Sequence, residues 1–199
     1  MRGILKTFGN VLPKKLRASY IASVREIEGN ATLEPIVMPM LKTLAATMEQ
    51  LQVYDRSVHR IAREDETARH LMTTPGVGTI VVLGYMTGVE TPARFARSSS
   101  VGAYFGMTPR RYQSGEVDHA GRVSKCGDGM VRGLLFEAAK VLLSRSAKPS
   151  DLQAWGRSLI RRLGKKKATM AVARKLAVIL HRMWSTGEPF RWTAVKAAA

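Results

Sequence analysis

The chain has 199 residues, of which 45% are hydrophobic, and a formal net charge of +17. That length and apolar content suffice for one domain with its own core plus an appendage, and they exclude a largely disordered chain. The single cysteine, Cys126, excludes a disulfide framework and a cysteine-based zinc site.

The charge is unevenly placed. Residues 1–70 carry 11 Lys/Arg against 8 Asp/Glu, whereas residues 91–199 carry 21 against 6. A folded region that basic repels itself unless a polyanion neutralises it, and nucleic acid is the expected partner. No basic amphipathic stretch stands apart from candidate core, so a membrane surface is not expected to bind. The sequence has no apolar run of about 18 residues and no signal-peptide pattern, and a soluble cytoplasmic protein is expected. The histidines at 59, 70, 119 and 181 are scattered without metal-ligand spacing, and surface or interfacial positions are expected for them.

Residues 1–31 are basic and broken by glycine and proline, and they read as short helical pieces with weak tertiary commitment. From Leu33 the apolar residues Val37, Met40, Leu44, Met48 and Leu51, then Val58 and Ala62, recur at spacings of three and four, interrupted by Asp55 where the pattern expects an apolar residue. This seam predicts a long helix over roughly 40–65, with Pro35 tolerated in a first turn and Pro39 kinking or delaying the start. So narrow a stripe needs a partner, and a second subunit joined through this arm would make a homo-oligomer.

Residues 68–73 end a helix at Thr74-Pro-Gly-Val-Gly78, and the apolar run 79–86 after it fits a buried helix or a strand equally. Pro75-Gly-Val-Gly78 has the form of a helix-hairpin-helix turn. Gly76 and Gly78 would let backbone N–H groups approach a phosphate at a helix N-terminus, without reading sequence. Residues 98–105 read as a short capped helix, followed by a loop or hairpin to Asp128.

Asp128 then caps a helix bearing Val131, Leu134, Leu135, Ala138 and Leu142. Ser150 caps the next, with Leu152, Trp155, Leu159 and Leu163 inward and Gly164 as its stop. A last helix over roughly 166–185 buries Val172, Leu176, Ile179 and Met183 and ends at Gly187. Trp155, Trp184 and Trp192 read as core or lid residues. The predicted fold is mainly α: a long linker helix, then a compact helical domain with a helix-hairpin-helix-like turn and a short loop or hairpin.

Within that loop, Ser114 stands among Arg110, Arg111, Arg122 and Lys125. A hydroxyl on a turn among guanidinium and ammonium groups suits phosphodiester chemistry, because the cations can hold a phosphate and offset the charge that grows on it. Asp118 and His119 are possible proton acceptors. Lys165, Lys166 and Lys167, with Arg161 and Arg162, add a second basic cluster.

One family unites these pieces. Met72-Thr-Thr-Pro-Gly-Val-Gly78, Ala93-Arg-Phe95, Val101-Gly-Ala-Tyr-Phe-Gly-Met-Thr-Pro-Arg110, Gln113-Ser-Gly115, Gly121-Arg-Val-Ser-Lys125 and Gly127-Asp128 occur in this order. The series resembles the C-terminal domain of insertion-sequence transposases of the 110/116/902 type, and Val172-Ala-Arg-Lys-Leu-Ala-Val-Ile-Leu-His-Arg-Met-Trp184 continues the match. The resemblance implies that Ser114 is the nucleophile, attacking a DNA phosphate to form a covalent phosphoserine and free a 3′-hydroxyl. It also implies a structured guide RNA, for which Lys165–Lys167 would be contacts. The supporting roles of Arg110, Arg111, Arg122 and Lys125 rest on charge and proximity, not on the family.

Members of this family carry an RNase-H-like domain with four acidic residues that bind Mg²⁺ ahead of the linker, whereas Met1–Gly9 already resembles linker. The expectation is a truncated transposase that binds no cofactor or metal itself and is inactive without the acidic domain and its Mg²⁺. Contiguous Glu64-Asp-Glu66, read as helical, does not replace that domain. The expected division is a linker arm over 1–67, the serine domain over 68–192 and a disordered tail over 193–199. The alternative is a remnant that binds nucleic acid and oligomerises without catalysis.

Overall fold

The computed structural model describes residues 2–7, 9, 18–25, 32–114, 117–146 and 148–193. They are mainly α, with one small two-stranded sheet. The tail expected over 193–199 lies outside the described residues except for Thr193. The chain divides into two compact units, residues 1–57 and 58–199.

The first unit contains α1 (Arg2–Thr7), α2 (Ala18–Arg25) and the start of the long α3 (Glu34–Glu64). Its core is Leu5, Tyr20, Val24, Leu33, Val37 and Leu41. The early helices therefore do commit to a core, contrary to the expectation for 1–31. α3 begins at Glu34, earlier than the predicted 40, and continues through Pro39. Near a helix start, a missing N–H removes only one bond of the first turns. Leu41 takes the inward place expected for Met40, which is 40% exposed. Farther along, Leu51, Val53 and Tyr54 are exposed.

In the second unit, α3 ends at Glu64 and Asp65 breaks the helix. The Asp65 carboxylate accepts the Ala68 N–H at 2.8 Å and caps α4 (Glu66–Met72). Glu64-Asp-Glu66 is thus a cap between two helices, not one helical run. α5 (Thr79–Val89) resolves the ambiguous apolar run as a helix buried through Val82, Tyr85 and Val89. The Tyr85 hydroxyl donates to the Ala177 carbonyl at 2.7 Å, and burial pushes its pKa well above the usual phenol value. Short 3-10 turns at Pro92–Arg94 and Ser98–Ser100 lead into α6 (Val101–Tyr104).

The hairpin β1 (Pro109–Ser114) and β2 (Val117–Val123) follows, then α7 (Gly129–Arg145), α8 (Asp151–Leu163) and α9 (Lys165–Thr186). The expected caps form: Asp128 accepts from the N–H groups of Met130 and Val131, and Ser150 from that of Gln153. α9 is the centre of this unit and packs against α4, α6, α7 and α8. Ala168, Val172, Ala173, Leu176, Ala177, Leu180 and Met183 are its buried apolar residues. His181 is buried, not superficial. Its Nε2 donates to the Pro92 carbonyl at 3.0 Å and its Nδ1 lies 2.9 Å from Ser98 Oγ, which ties both 3-10 turns to α9.

Two inward assignments in α8 are corrected. The buried row is Leu152, Gln153, Gly156 and Leu159, whereas Trp155 is 43% exposed and Leu163 is 47% exposed. Gly156 brings α8 close to Leu143 and Val172, so the row through Gly156 faces the core and Trp155 turns outward.

Candidate functional site

The base of the hairpin is fixed by close backbone approaches. Gly106, at φ +64°, leaves no room for a side chain beneath the Cys126 carbonyl, and Gly127, at φ +81°, none beneath that of Tyr104. Both positions therefore require glycine for conformation and for space. Across this clamp, Lys125 N–H donates to the Gly106 carbonyl at 3.1 Å and Ser124 N–H to that of Thr108 at 2.9 Å. Arg132 was not singled out by any sequence signal, yet its Nη1 donates to the Phe105 carbonyl at 3.0 Å, which secures the base to α7.

The strands pair antiparallel, with Pro109 opposite Val123, Arg111 opposite Ala120, Tyr112 opposite His119, Gln113 opposite Asp118 and Ser114 opposite Val117. Arg110 alone faces both Gly121 and Arg122, so β2 carries a one-residue bulge. Ser114 is exposed at the tip. The cations do not converge on it. Arg110, Arg122 and Lys125 gather at the base, where Arg110 Nη2 donates to the Ser124 carbonyl at 3.3 Å. Ser114 lies four residues beyond Arg110, about 13 Å along an extended strand, which exceeds the reach of an arginine side chain. Arg111 is closer, but its position alternates to the other face from Ser114.

By register, positions 114, 112 and 119 share one face and position 118 belongs to the other. The side chains of Asp118 and His119 lie outside the described residues. Tyr112, also on this face, is 59% exposed, and its ring covers Gly121.

The turn between α4 and α5 divides its two glycines by role. Gly76, at φ +85°, has the α7 backbone at Ala138 and Leu142 against the space a Cβ would fill, so it serves packing within the fold. Gly78 is exposed with open space around it and precedes the N-terminus of α5. Glu137 shares the surface depression at this turn, and Lys140 partners it at 3.0 Å. Lys165, Lys166 and Lys167 form the first turn of α9, exposed, behind Gly164 with no side-chain cap. Three ammonium groups at the positive end of a helix dipole oppose helix formation unless an anion joins them.

No group of three or more His, Cys, Asp or Glu side chains converges among the described residues. The Asp65 carboxylate is engaged as the cap of α4. Nor is any helix among the described residues long and apolar enough to cross a membrane.

This arrangement, a glycine-clamped serine hairpin seated on a helical body, lies in a region with known relatives. Residues 68–154 match the model of the transposase IS116/IS110/IS902 family, the family that the ordered motifs resemble. Its similarity extends to particular transposases. It is 27% identical over 197 residues to the transposase for insertion sequence element IS1111A of Coxiella burnetii, covering 96% of this chain and 54% of that protein. To the transposase for insertion sequence element IS1328 of Yersinia enterocolitica it is 28% identical over 195 residues, covering 96% and 58%. A probable family 20 transposase of Pseudomonas aeruginosa is 25% identical over 199 residues, with 96% and 59% covered. The chain thus spans a little more than half the length of these relatives.

Proposed function

We propose that this chain is the strand-transfer part of a transposase, with Ser114 as its nucleophile. In the reaction, Ser114 Oγ attacks phosphorus of a DNA phosphodiester and the bond from phosphorus to the 3′-oxygen breaks. The serine proton passes to a base, the departing oxygen takes up a proton as the 3′-hydroxyl, and the DNA 5′-phosphate remains esterified to Ser114. Reversal of this step onto another 3′-hydroxyl joins new ends without an external energy source, because the phosphoester is conserved. The observation that carries this reading is the position of Ser114, exposed at the tip of a hairpin whose base is held rigidly.

The hairpin geometry refines the role of the cations. Arg110, Arg122 and Lys125, far from Ser114 along the strands, would hold phosphates flanking the scissile one and set the register of the DNA. The charge that develops on the scissile phosphate then needs help from beyond the hairpin, which fits an acidic domain with Mg²⁺. Gly78 at the N-terminus of α5 and Lys165–Lys167 would hold further phosphates of DNA or of a guide RNA. The exposed Leu51 and Tyr54 on α3 favour pairing with a second copy through that arm.

The same distance between Ser114 and the basic residues supports a second reading, in which the chain grips nucleic acid and oligomerises without catalysis. The two part on one experiment: the chain is mixed with DNA of an element end and a full-length family member whose own serine is replaced. A covalent protein–DNA adduct on this chain, lost in Ser114→Ala, is the expected result. No adduct under these conditions would leave only the binding reading.

A further inference from the structure

Between the outer faces of α8 and α9 lies a groove of about 630 Å³, well within the range of ligand sites. One wall is the exposed Trp155, and Ile179 and Phe190 supply further apolar lining. Lys175, Arg182 and Arg191 stand around it. Two carboxylates belong to the same neighbourhood, Asp151 on the lining and Glu188 beside it. Glu188 partners Arg191 at 2.9 Å and Arg182 at 3.6 Å, which fixes both guanidinium groups in place. Arg182 Nε is also the one side-chain nitrogen or oxygen among the described residues that is buried without a hydrogen-bond partner.

The groove does not stand alone. On α9, Lys167, Lys175 and Arg182 follow one another within a broad stripe about 80° wide, about 12 and 10 Å apart along the axis. That stripe runs from the lysine-rich first turn of α9 into the groove. A flat aromatic wall beside fixed guanidinium groups, at the end of a basic track, matches how single strands are held: the track follows the phosphates and the aromatic ring stacks a base.

We propose that this groove receives an unpaired nucleobase of a single-stranded nucleic acid, stacked on Trp155, with neighbouring phosphates along Lys167, Lys175 and Arg182. The proposal rests on the nucleic-acid reading above but is independent of Ser114. It is tested with the full chain, a single-stranded deoxythymidine oligomer of about ten nucleotides, and an abasic oligomer with the same number of phosphates. The wild-type chain binds the deoxythymidine oligomer more tightly than the abasic one. Trp155→Ala weakens binding of the former between about fivefold and a hundredfold and leaves the latter unchanged, while Trp155→Phe keeps most of the preference.

Equal wild-type binding of the two oligomers overturns the groove proposal and leaves the nucleic-acid reading standing. So does a Trp155→Ala variant that binds both as the wild type does, or loses both alike. A change of oligomeric state in Trp155→Ala, measured by sedimentation, overturns it in favour of a contact between protein copies. Absence of binding to either oligomer overturns both readings.

Discussion

Gly106 and Gly127 show how a single atom decides whether the serine hairpin has a fixed base. At each, a Cβ would meet a backbone carbonyl at a positive φ, so neither side-chain movement nor a small backbone shift relieves the conflict. Gly127→Ala should lower unfolding stability by at least about 2 kcal/mol, read as a lower urea midpoint at unchanged slope. Wild-type stability in that variant would mean that the hairpin base is held otherwise than by this close approach. Gly78→Ala, in open space, should be nearly neutral by the same measurement and serves as the control.

At the scale of elements, α3 carries the clearest unmet demand. Its first half packs through Val37 and Leu41, but Leu51 and Tyr54 are 56% and 65% exposed. Replacing both with aspartate should convert an oligomer to monomer in sedimentation experiments at unchanged helical content. A wild-type chain that sediments as a monomer would remove the need for such a partner. Local chemistry explains which elements were legible in sequence: Asp128, Ser150, Gly164 and Gly187 mark helix ends through bonds to their own neighbours. The run 79–86 carried no such signal, because a helix apolar on all sides has no periodicity to read. Trp155 was misplaced since hydrophobicity alone ranks it above Gly156, while the approach of α8 to Leu143 and Val172 favours the smaller residue. The candidate site was legible as a set of residues but not as a geometry. Sequence proximity put four cations around Ser114, whereas strand register and the bulge at Gly121–Arg122 carry three of them to the other end of the hairpin.

Over the whole molecule, residues 91–199 hold 21 of the 32 Lys/Arg residues against 6 acids, and the exposed lysines at the start of α9 lack nearby acidic neighbours in their own turn. Binding driven by such charge releases counterions from nucleic acid, so affinity should fall at least about tenfold for each threefold rise in salt. Salt-insensitive binding would contradict a phosphate-centred interface. Salt dependence alone does not separate a gripping module from a transferring one. That separation rests on Ser114, and the direct measurement is mass spectrometry of the chain after reaction with element-end DNA in the presence of a full-length, serine-substituted family member. Trypsin cleavage after Arg111 and Arg122 would isolate the peptide Tyr112–Arg122, and it should carry a 5′-phosphodeoxynucleotide on Ser114. An unmodified peptide, or an adduct on Ser124 instead, would contradict the assignment of Ser114 as the nucleophile.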